Sequence, residues 1–388
     1  MTQEPMRDSQ SIRRGMDDLV VDSTAVSWVD GQRGRLYYRG YRVEDLAQKA
    51  SFEEVAYLLL CGHLPTQQQL TSFQWRLRQF SHTPEKIIRI LQELPRNTPP
   101  LSALQTALAA LGCTDPGPKY SEEETLLGLA MRIIAQTPII LAAFYRLNQG
   151  SFFLSAREDL SHAENFLYML SGHAPSPRDT RAMEIALILQ MDHGFNSSTF
   201  TARAVASTMT NMYAATSAAV GALSGPLHGG ASEQVVDMLR EVEEWGDVDT
   251  YLDYLFAHGG KVMGMGHRVY KRKDPRAILF EELLSELTRN ESNPKDIHTL
   301  HRIAEKAGAH FAQKNREIHV NVDFWSGAVY KRLGIQTMLF PAIFAAARIV
   351  GWCSHILELR QNNRLYRPLS MYTGPLDLKF TPIKERQK

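Results

Sequence analysis

The chain has 388 residues, of which 44% are apolar and 22% charged; this composition excludes disorder as the main state and allows a sizeable core. Its 43 lysines and arginines balance 42 aspartates and glutamates, and the formal net charge of +1 gives no indication of nucleic acid or a membrane surface as a partner. The cysteines Cys61, Cys113 and Cys353 lie far apart, which argues against a CxxC metal site and a disulfide framework.

The sequence near the N-terminus and the apolar runs bear on the location of the protein. Acidic residues interrupt the N-terminal arginines, unlike in a transit peptide, and this region lacks the apolar core of a secretory signal. The longest apolar run, residues 338–347, contains Pro341 and is too short to span a bilayer. We therefore expect a cytoplasmic protein without a membrane partner, which agrees with the scattered cysteines.

The N-terminal part predicts a small β-hairpin over residues 23–41, where apolar and polar residues alternate and Asp30-Gly31 supplies a turn. The apolar spacing then becomes helical, with Gly62 as a stop and Thr66 as the N-cap of the next helix. Further helices are predicted near residues 67–80, 84–94, 101–111, 121–147, 158–171, 178–191, 232–245, 247–258, 275–289, 295–315 and 333–360. These patterns predict an all-α class, mainly helical with a small N-terminal β-hairpin.

Two features stand out within this helical pattern. Pro138 is expected to kink or divide its helix. The stretch 201–224 is rich in alanine, serine and threonine and almost free of large aliphatic residues. Such a helix allows another helix to approach closely, either inside the protein or across a subunit interface, and the sequence leaves both open.

The composition of the chain changes between residues 231 and 320, where charged residues become more frequent. A strongly apolar helical pattern returns after residue 333. This shift predicts a smaller domain inserted into a larger one. The large domain would comprise residues 1–229 and 330–388, and the small domain residues 230–329.

Four short segments at helix breaks carry the side chains suited to chemistry. Glycines flank His228, and we expect this histidine at an exposed loop tip. His267 precedes a dense basic run that suits an anionic ligand such as a phosphate or carboxylate. Asp323 lies among apolar residues, which raise the pKa of a carboxyl group and make it a better base. The segments are residues 191–199, 225–231, 264–276 and 321–327.

Each of these residues also has a simpler interpretation. A lone histidine is usually a surface residue or a satisfied polar group, and a Lys/Arg run is usually a solvated face. Asp323 is placed to cap a helix that begins at Phe324. The coincidence of two glycine-flanked histidines, an aspartate in apolar surroundings and a basic run favours a catalytic site.

Three motifs together resemble those of citrate synthases: Pro-Leu-His-Gly-Gly-Ala at 226–231, Gly-His-Arg-Val-Tyr-Lys at 266–271 and Asn-Val-Asp-Phe at 321–324. The resemblance covers nearly the whole chain, from the hairpin near Trp28 to the end. It implies a mostly helical homodimer whose subunits each have a large and a small domain, with the active site in the cleft between them. It also implies condensation of acetyl-CoA with oxaloacetate and water to give citrate and CoA, without a further cofactor or a metal.

The resemblance assigns three catalytic roles. Asp323 matches the base that takes a proton from the methyl group of acetyl-CoA. His228 matches the residue that stabilises the enol(ate) at the thioester oxygen, and His267 matches the residue that polarises the ketone of oxaloacetate and protonates the new alkoxide. A thioester α-proton is weakly acidic, so its removal needs a positioned base and a donor for the developing oxyanion at once.

Binding residues follow from the same resemblance. His193, Arg276 and Arg348 match residues that hold oxaloacetate, whose two carboxylates suit arginine. Arg367 matches an arginine that reaches across from the partner subunit, so the active site would need the dimer. The CoA contacts implied by the resemblance are Val262, Gly264, Met265, Gly266 and Lys271.

The chain departs from the family pattern at one position of the first segment. Many family members have His-Ala-Asp-His where this chain has Gln-Met-Asp-His at 190–193. The glutamine at 190 can still donate a hydrogen bond but cannot be protonated. The departure affects the expected details of ketoacid binding and leaves the catalytic trio intact.

Three alternatives stay open at this point. A 2-methylcitrate synthase would use propionyl-CoA, and one extra methyl group gives only ~1–3 kcal/mol of discrimination in an apolar pocket. A metal-binding protein would need more ligands than the spaced pair His298 and His301. A non-catalytic relative kept as a scaffold is disfavoured by the intact trio.

Overall fold

The computed structural model describes residues 12–16, 19–114 and 123–386 of the chain. These residues form 16 α-helices and one small antiparallel sheet, which confirms the predicted mainly α class. The strands are β1 (Ser27–Asp30), β2 (Arg35–Tyr38) and β3 (Tyr41–Arg42). The helices are α1 (Val43–Lys49), α2 (Phe52–Cys61), α3 (Gln67–Phe80), α4 (Glu85–Glu93), α5 (Pro100–Thr114), α6 (Glu123–Asn148), α7 (His162–Ser171), α8 (Pro177–Gln190), α9 (Ser197–Ala206), α10 (Met212–Leu223), α11 (Ala231–Trp245), α12 (Val248–Ala257), α13 (Pro275–Thr288), α14 (Lys295–Gln313), α15 (Val322–Arg332) and α16 (Phe340–Gln361).

The predicted hairpin is present, with a third short strand added. Ser27 pairs with Tyr38 and Asp30 with Arg35, and the Arg33 amide donates to Asp30 Oδ1 at 3.0 Å in the turn. The buried Tyr38 hydroxyl lies 3.1 Å from the backbone oxygens of both Ile188 and Asp192. The sheet thereby holds the end of α8, where one of the four segments begins.

Local signals set the helix boundaries as the sequence predicts. Thr66 caps α3 in a capping box with Gln69, and a capping box also starts α2 at Ser51. Gly62 ends α2 in the left-handed region at φ +88°, a conformation that glycine adopts without strain. Side-chain acceptors at helix starts and a glycine at a helix end therefore suffice to fix these boundaries.

The alanine-rich stretch forms two helices rather than one. The chain breaks after α9, Met209 adopts φ +66°, and the Asn211 side chain accepts a hydrogen bond from the Ala214 amide at 2.8 Å to start α10. The two helices pack on each other, and α10 also packs on α5, so close internal packing is confirmed. A subunit interface on this stretch stays a prediction.

Pro138 does not divide its helix, because α6 continues through it to Asn148. Two segments, Thr125–Asn148 and Thr337–Gln361, are long and apolar enough to cross a membrane by length and composition. The second contains the apolar run that the sequence suggested was too short. Their apolar windows are 78% and 94% buried inside the protein, as in the core helices of soluble proteins.

Helix α16 is the central element of the core. It packs on α2, α5, α6, α8, α9 and α10, and nearly all of its residues are buried. Near its end, Glu358 Oε1 accepts a hydrogen bond from the Ala25 amide at 2.7 Å, so the last helix holds the start of the sheet.

The contacts divide the chain into two units. Thr24–Arg364 form one, in which α11, α12, α14 and α15 pack together and α13 lies on α15. The other combines the two chain ends, in which the Tyr366 hydroxyl donates to Asp22 Oδ2 at 2.7 Å. The division into a large and a small domain at residues 230 and 330 stays a prediction.

Candidate active site

The first segment turns sharply between α8 and α9. Asp192 is fully buried, and its Oδ2 accepts hydrogen bonds from the Ser27 hydroxyl and from His355 Nε2 at 3.2 Å. Burial raises the pKa of Asp192, but His355, with Arg348 and Ser27, outweighs burial and holds the pKa below its ordinary value. A side chain at Gly351 of α16 would collide with this turn, so glycine is needed for the close approach.

His193 follows this turn and is neutral. Only 9% of its surface is exposed, and its Nε2 lies 3.2 Å from the Tyr270 hydroxyl. Burial, together with the charges of Arg276 and Arg348, lowers the pKa of His193 well below its ordinary value. The His193 and His267 rings meet edge to face with centroids 5.2 Å apart, which joins the first and third segments.

His267 is held in one tautomer. Its Nδ1 accepts hydrogen bonds from the Val269 and Tyr270 amides, both at 3.0 Å, so the ring proton lies on Nε2. Burial, then the charge of Arg276, lowers the pKa of His267 to about 4. The residue is therefore a neutral imidazole at pH 7 that donates through Nε2.

His228 is held in the opposite tautomer. The Ser198 amide at the start of α9 points at His228 Nε2 at 3.3 Å, and the Ser198 hydroxyl lies 2.8 Å from the same atom. Since Nε2 accepts, the proton lies on Nδ1. Burial, then the charge of Arg348, lowers the pKa of His228 to about 4. The expectation of an exposed loop tip was wrong for His228, because Leu227 occupies the tip and the half-buried histidine faces α9.

Asp323 lies in the first turn of α15 and does not cap it. The cap is Asn321, whose Oδ1 accepts a hydrogen bond from the Asp323 amide at 3.0 Å, so the capping alternative for Asp323 was wrong. Within the described part of the chain, the Asp323 carboxyl group has no hydrogen-bond partner. Burial raises its pKa to about 6 against the opposing charges of Arg276 and Arg348, as the apolar neighbours predict.

Two of the predicted arginines, Arg276 and Arg348, are buried and held in place by hydrogen bonds. Arg276 is 3% exposed, and its Nε and Nη2 donate to Asp274 at 3.0 and 2.7 Å. Arg348 is 1% exposed, its Nε donates to the Gln190 carbonyl at 2.8 Å, and it lies over the Phe344 ring.

Both arginines carry charge into the buried site. Burial lowers the pKa of Arg348 to about 10, so it stays charged at neutral pH. Burial also opposes the charge of Arg276, but Asp274 outweighs it and raises the pKa. Neither Nη1 of Arg276 nor the Nη atoms of Arg348 hydrogen-bond to a described residue, so both can fork onto a carboxylate.

The third and fourth segments, residues 264–276 and 321–327, contact each other and form one piece of the site. Met265 bridges to Val320, and the Asn321 amide donates to the Gly264 carbonyl at 2.8 Å. Gly264 has φ +72°, and a Cβ there would lie 2.8 Å from Phe324 Cα, so only glycine permits this approach. The predicted CoA residues Val262 to Gly266 therefore lie directly against the start of α15.

A groove of about 410 Å³ lies beside this piece. Its walls include Gly266, His267 and the exposed Lys271, whose amide donates to the Gly31 carbonyl at 2.9 Å. The remaining wall includes Arg272 and Arg316. The lining also includes Asp274 and Glu317, and Arg272 lies 3.5 Å from Glu317. The positive charge that suits a phosphate-bearing ligand therefore comes mainly from Lys271 and Arg316.

Comparison with known proteins identifies the family. The family model described as "Citrate synthase, C-terminal domain" matches residues 15–369. The chain belongs to the citrate synthase family.

Individual family members match over almost the full chain. The citrate synthase of Deinococcus radiodurans is 38% identical over 97% of this chain and 100% of that protein. The 2-methylcitrate synthase 1 of Corynebacterium glutamicum is 36% identical over 98% of this chain and 100% of its own length. A Thermoplasma acidophilum citrate synthase, solved as a ternary complex with carboxymethyl coenzyme A and oxaloacetate, has a TM-score of 0.91 and 32% identity, covering 97% of this chain and 100% of its own.

The structure brings most of the predicted residues together. The charges of Arg276 and Arg348 affect the pKa values of both His193 and Asp323. Arg276 also affects the pKa of His267, and Arg348 affects that of His228. Arg367 is exposed in the unit formed by the chain ends, and its role across a citrate synthase dimer stays a prediction. His301, considered above as a metal ligand, pairs with Glu281 at 3.5 Å.

Four contributing residues were missed from the sequence. Tyr270 lies inside a motif and Asp274 directly precedes a proline at a helix start, so both carried a local signal. Ser198 also lies inside one of the four segments, but its partner His228 is 30 residues away in the chain. Tyr330 carried no signal, because its partner Gln190 is 140 residues away.

Proposed function

We propose that this chain condenses acetyl-CoA with oxaloacetate and water to give citrate and CoA. The observation that carries the proposal is the Asp323 carboxyl group, which has a pKa raised to about 6 and no partner in the described structure. A carboxylate of this kind is a stronger base than an ordinary aspartate and is still ionised at pH 7.

Enolisation uses two of the predicted residues. Asp323 removes a proton from the methyl group of acetyl-CoA, and the Nδ1 proton of His228 hydrogen-bonds the thioester oxygen on which negative charge develops. A neutral imidazole suits this role, since it donates without holding a charge that the ground state must solvate.

Condensation uses the other histidine. The methylene carbon attacks the ketone carbon of oxaloacetate, and the new C–C bond leaves charge on the ketone oxygen, which receives the Nε2 proton of His267. Arg276, Arg348 and His193 hold the carboxylates of oxaloacetate. Water then attacks the thioester carbon of citryl-CoA and gives one proton back to Nε2 of His267. The C–S bond breaks, the CoA sulfur takes the proton that Asp323 holds, and CoA and citrate are released.

CoA binds along the piece formed by the third and fourth segments. Val262, Gly264, Met265 and Gly266 place the acyl end near Asp323, because this loop lies against the first turn of α15. Lys271 and its basic neighbours take the phosphates in the 410 Å³ groove. No cofactor or metal beyond the substrates enters the reaction.

The working form is a homodimer, with Arg367 contributed across the interface. Support comes from the apolar side chains that the terminal unit exposes: Leu369 is 64%, Leu378 76% and Phe380 83% exposed. The cytoplasm is the proposed location, and the three cysteines form no disulfide with one another.

A second candidate function is 2-methylcitrate synthesis from propionyl-CoA. The observation that favours it is the 36% identity to 2-methylcitrate synthase 1 of Corynebacterium glutamicum. Because a methyl group is worth ~1–3 kcal/mol in an apolar pocket, mixed specificity is the natural form of this alternative.

The test is thiol release with oxaloacetate and each acyl-CoA side by side. We expect a higher kcat/KM for acetyl-CoA than for propionyl-CoA. The reverse order would replace the first proposal by the second, and no CoA release with either substrate would refute both. Asp323→Asn, which keeps the shape of the side chain, is the matched inactive control.

A further inference from the structure

Gln190 connects two helices at the bottom of the site. It is the last residue of α8 and is 1% exposed, and its Oε1 accepts a hydrogen bond from the Tyr330 hydroxyl of α15 at 2.7 Å. Burial raises the pKa of Tyr330, so the hydroxyl keeps its proton and remains a donor at every working pH.

The backbone of Gln190 holds a second part of the site. Its carbonyl oxygen accepts the hydrogen bond from Arg348 Nε at 2.8 Å. One residue therefore contacts both the arginine proposed to bind oxaloacetate and the helix that carries the proposed base.

Tyr330 lies on the same face of α15 as Asp323. Seven residues separate them, which is about two helical turns, so a shift of the helix at Tyr330 moves Asp323 as well. Tyr330 is packed against Phe340 and Phe280, with ring centroids 5.3 and 6.3 Å away, so its hydroxyl has little freedom to find another acceptor.

We infer that the hydrogen bond between Gln190 and Tyr330 positions Asp323 for proton abstraction, by fixing α15 relative to the arginine that holds the second substrate. The inference rests on the proposed function and adds two positioning residues to it. Neither residue touches a reacting atom. Both act through the distance between the Asp323 carboxylate and the methyl group of the acyl-CoA.

Tyr330→Phe tests the contact, since it removes one hydroxyl and keeps the ring. We expect kcat to fall about tenfold, in line with the cost of small misplacements of a catalytic group, with the KM for oxaloacetate changed less than twofold. The isotope effect on kcat with methyl-deuterated acetyl-CoA should rise, because proton abstraction becomes slower than the later steps. A purely structural role would not change it.

Tyr251→Phe is the matched control. Tyr251 of α12 is also buried, and its hydroxyl donates to Glu241 of α11 at 2.7 Å, so this bond joins two helices other than α8 and α15. We expect it to lower the melting temperature about as much as Tyr330→Phe does, with kcat and the isotope effect at the wild-type values.

Gln190→Met keeps the test decisive if Tyr330→Phe fails to fold, because it removes the acceptor and leaves the tyrosine ring in place. The double variant should show about the same kcat as either single variant. If Gln190→Met or Tyr330→Phe keeps the wild-type kcat and isotope effect, the inference is overturned and the proposed function is unaffected. A wild-type protein that releases no CoA would overturn the proposed function and the inference with it.

Discussion

Helices α13 and α15 pack on each other, and each has an aspartate at its start, but the two aspartates have opposite environments. Asp274 is the N-cap of α13, is 1% exposed, and receives two hydrogen bonds from the side chain of Arg276. Asp323 lies in the first turn of α15, where Asn321 already supplies the cap and no described cation forms an ion pair with the carboxylate.

The difference shows how one residue type serves two purposes. A carboxylate with a bidentate arginine orients that arginine. A carboxylate without a partner has its pKa raised by burial and becomes a base. Asn321 makes this possible at α15, because it takes over the capping that would otherwise engage Asp323.

The largest expected effect concerns Asp323, the aspartate without a partner. Asp323→Asn should lower kcat by about 10³–10⁴-fold, because the amide cannot accept the methyl proton. Thiol release with purified protein measures it, and circular dichroism checks that the fold is intact. Activity within tenfold of the wild type would remove Asp323 as the base.

Next come the two neutral histidines. His228→Gln and His267→Gln should each lower kcat by about 10²–10³-fold, in the range seen when an oxyanion donor is removed. The two are separable by an exchange assay in deuterated water, in which only His228→Gln should slow loss of the methyl protons of acetyl-CoA. Equal slowing by both would contradict the division of roles.

For Asp274, the aspartate paired with Arg276, the expected effect is on stability and substrate binding. Asp274→Asn keeps a capping side chain but leaves Arg276 without its charged partner, which should cost about 3 kcal/mol of unfolding free energy. The KM for oxaloacetate should also rise, since Arg276 loses its orientation. Chemical denaturation and steady-state kinetics measure these, and unchanged values would mean that the pair orients nothing.

The pH dependence follows from the raised pKa of Asp323. Only the ionised form abstracts a proton, so kcat/KM should fall about tenfold per pH unit below about 6 and level off above it. His228 and His267, with pKa values lowered to about 4, stay neutral over this range and should add no limb between pH 5 and 8. A kcat/KM that stays level from pH 8 down to pH 5 would contradict the raised pKa of Asp323.

The smallest expected effect is a gain in stability. Because the folded pKa of Asp323 is above the unfolded value, the folded state binds the proton more tightly, and wild-type stability falls as pH rises from about 4 to about 6. Asp323→Asn resembles the protonated form and should be more stable than the wild type at pH 8, with little difference at pH 4. Denaturation at both pH values checks the sign.

The sequence correctly predicts those features of the molecule that depend on neighbouring residues in the chain. Thr66, Gly62 and the Asp30 turn fix boundaries within a few residues, and the apolar neighbours of Asp323 predict its raised pKa. It failed at the alanine-rich stretch, because small residues favour helix on both sides of the break, and Asn211 was the signal that could have revealed it.

The contacts that orient the site were out of reach for a different reason. The Gln190–Tyr330 bond and the His228–Ser198 bond depend on how distant helices meet, which no local pattern encodes. The exposed loop expected for His228 shows the same limit, since glycines predict a flexible backbone but not which surface the side chain will face.

The position of α16 in the chain has a consequence for synthesis. This helix carries Arg348, supplies His355 to Asp192 and binds the start of the sheet through Glu358, yet it is the last of the 16 described α-helices to be synthesised. A nascent chain therefore exposes the apolar surfaces of α2, α8 and α9 until α16 has been synthesised. Truncation within α16 should yield an insoluble product rather than a weak enzyme.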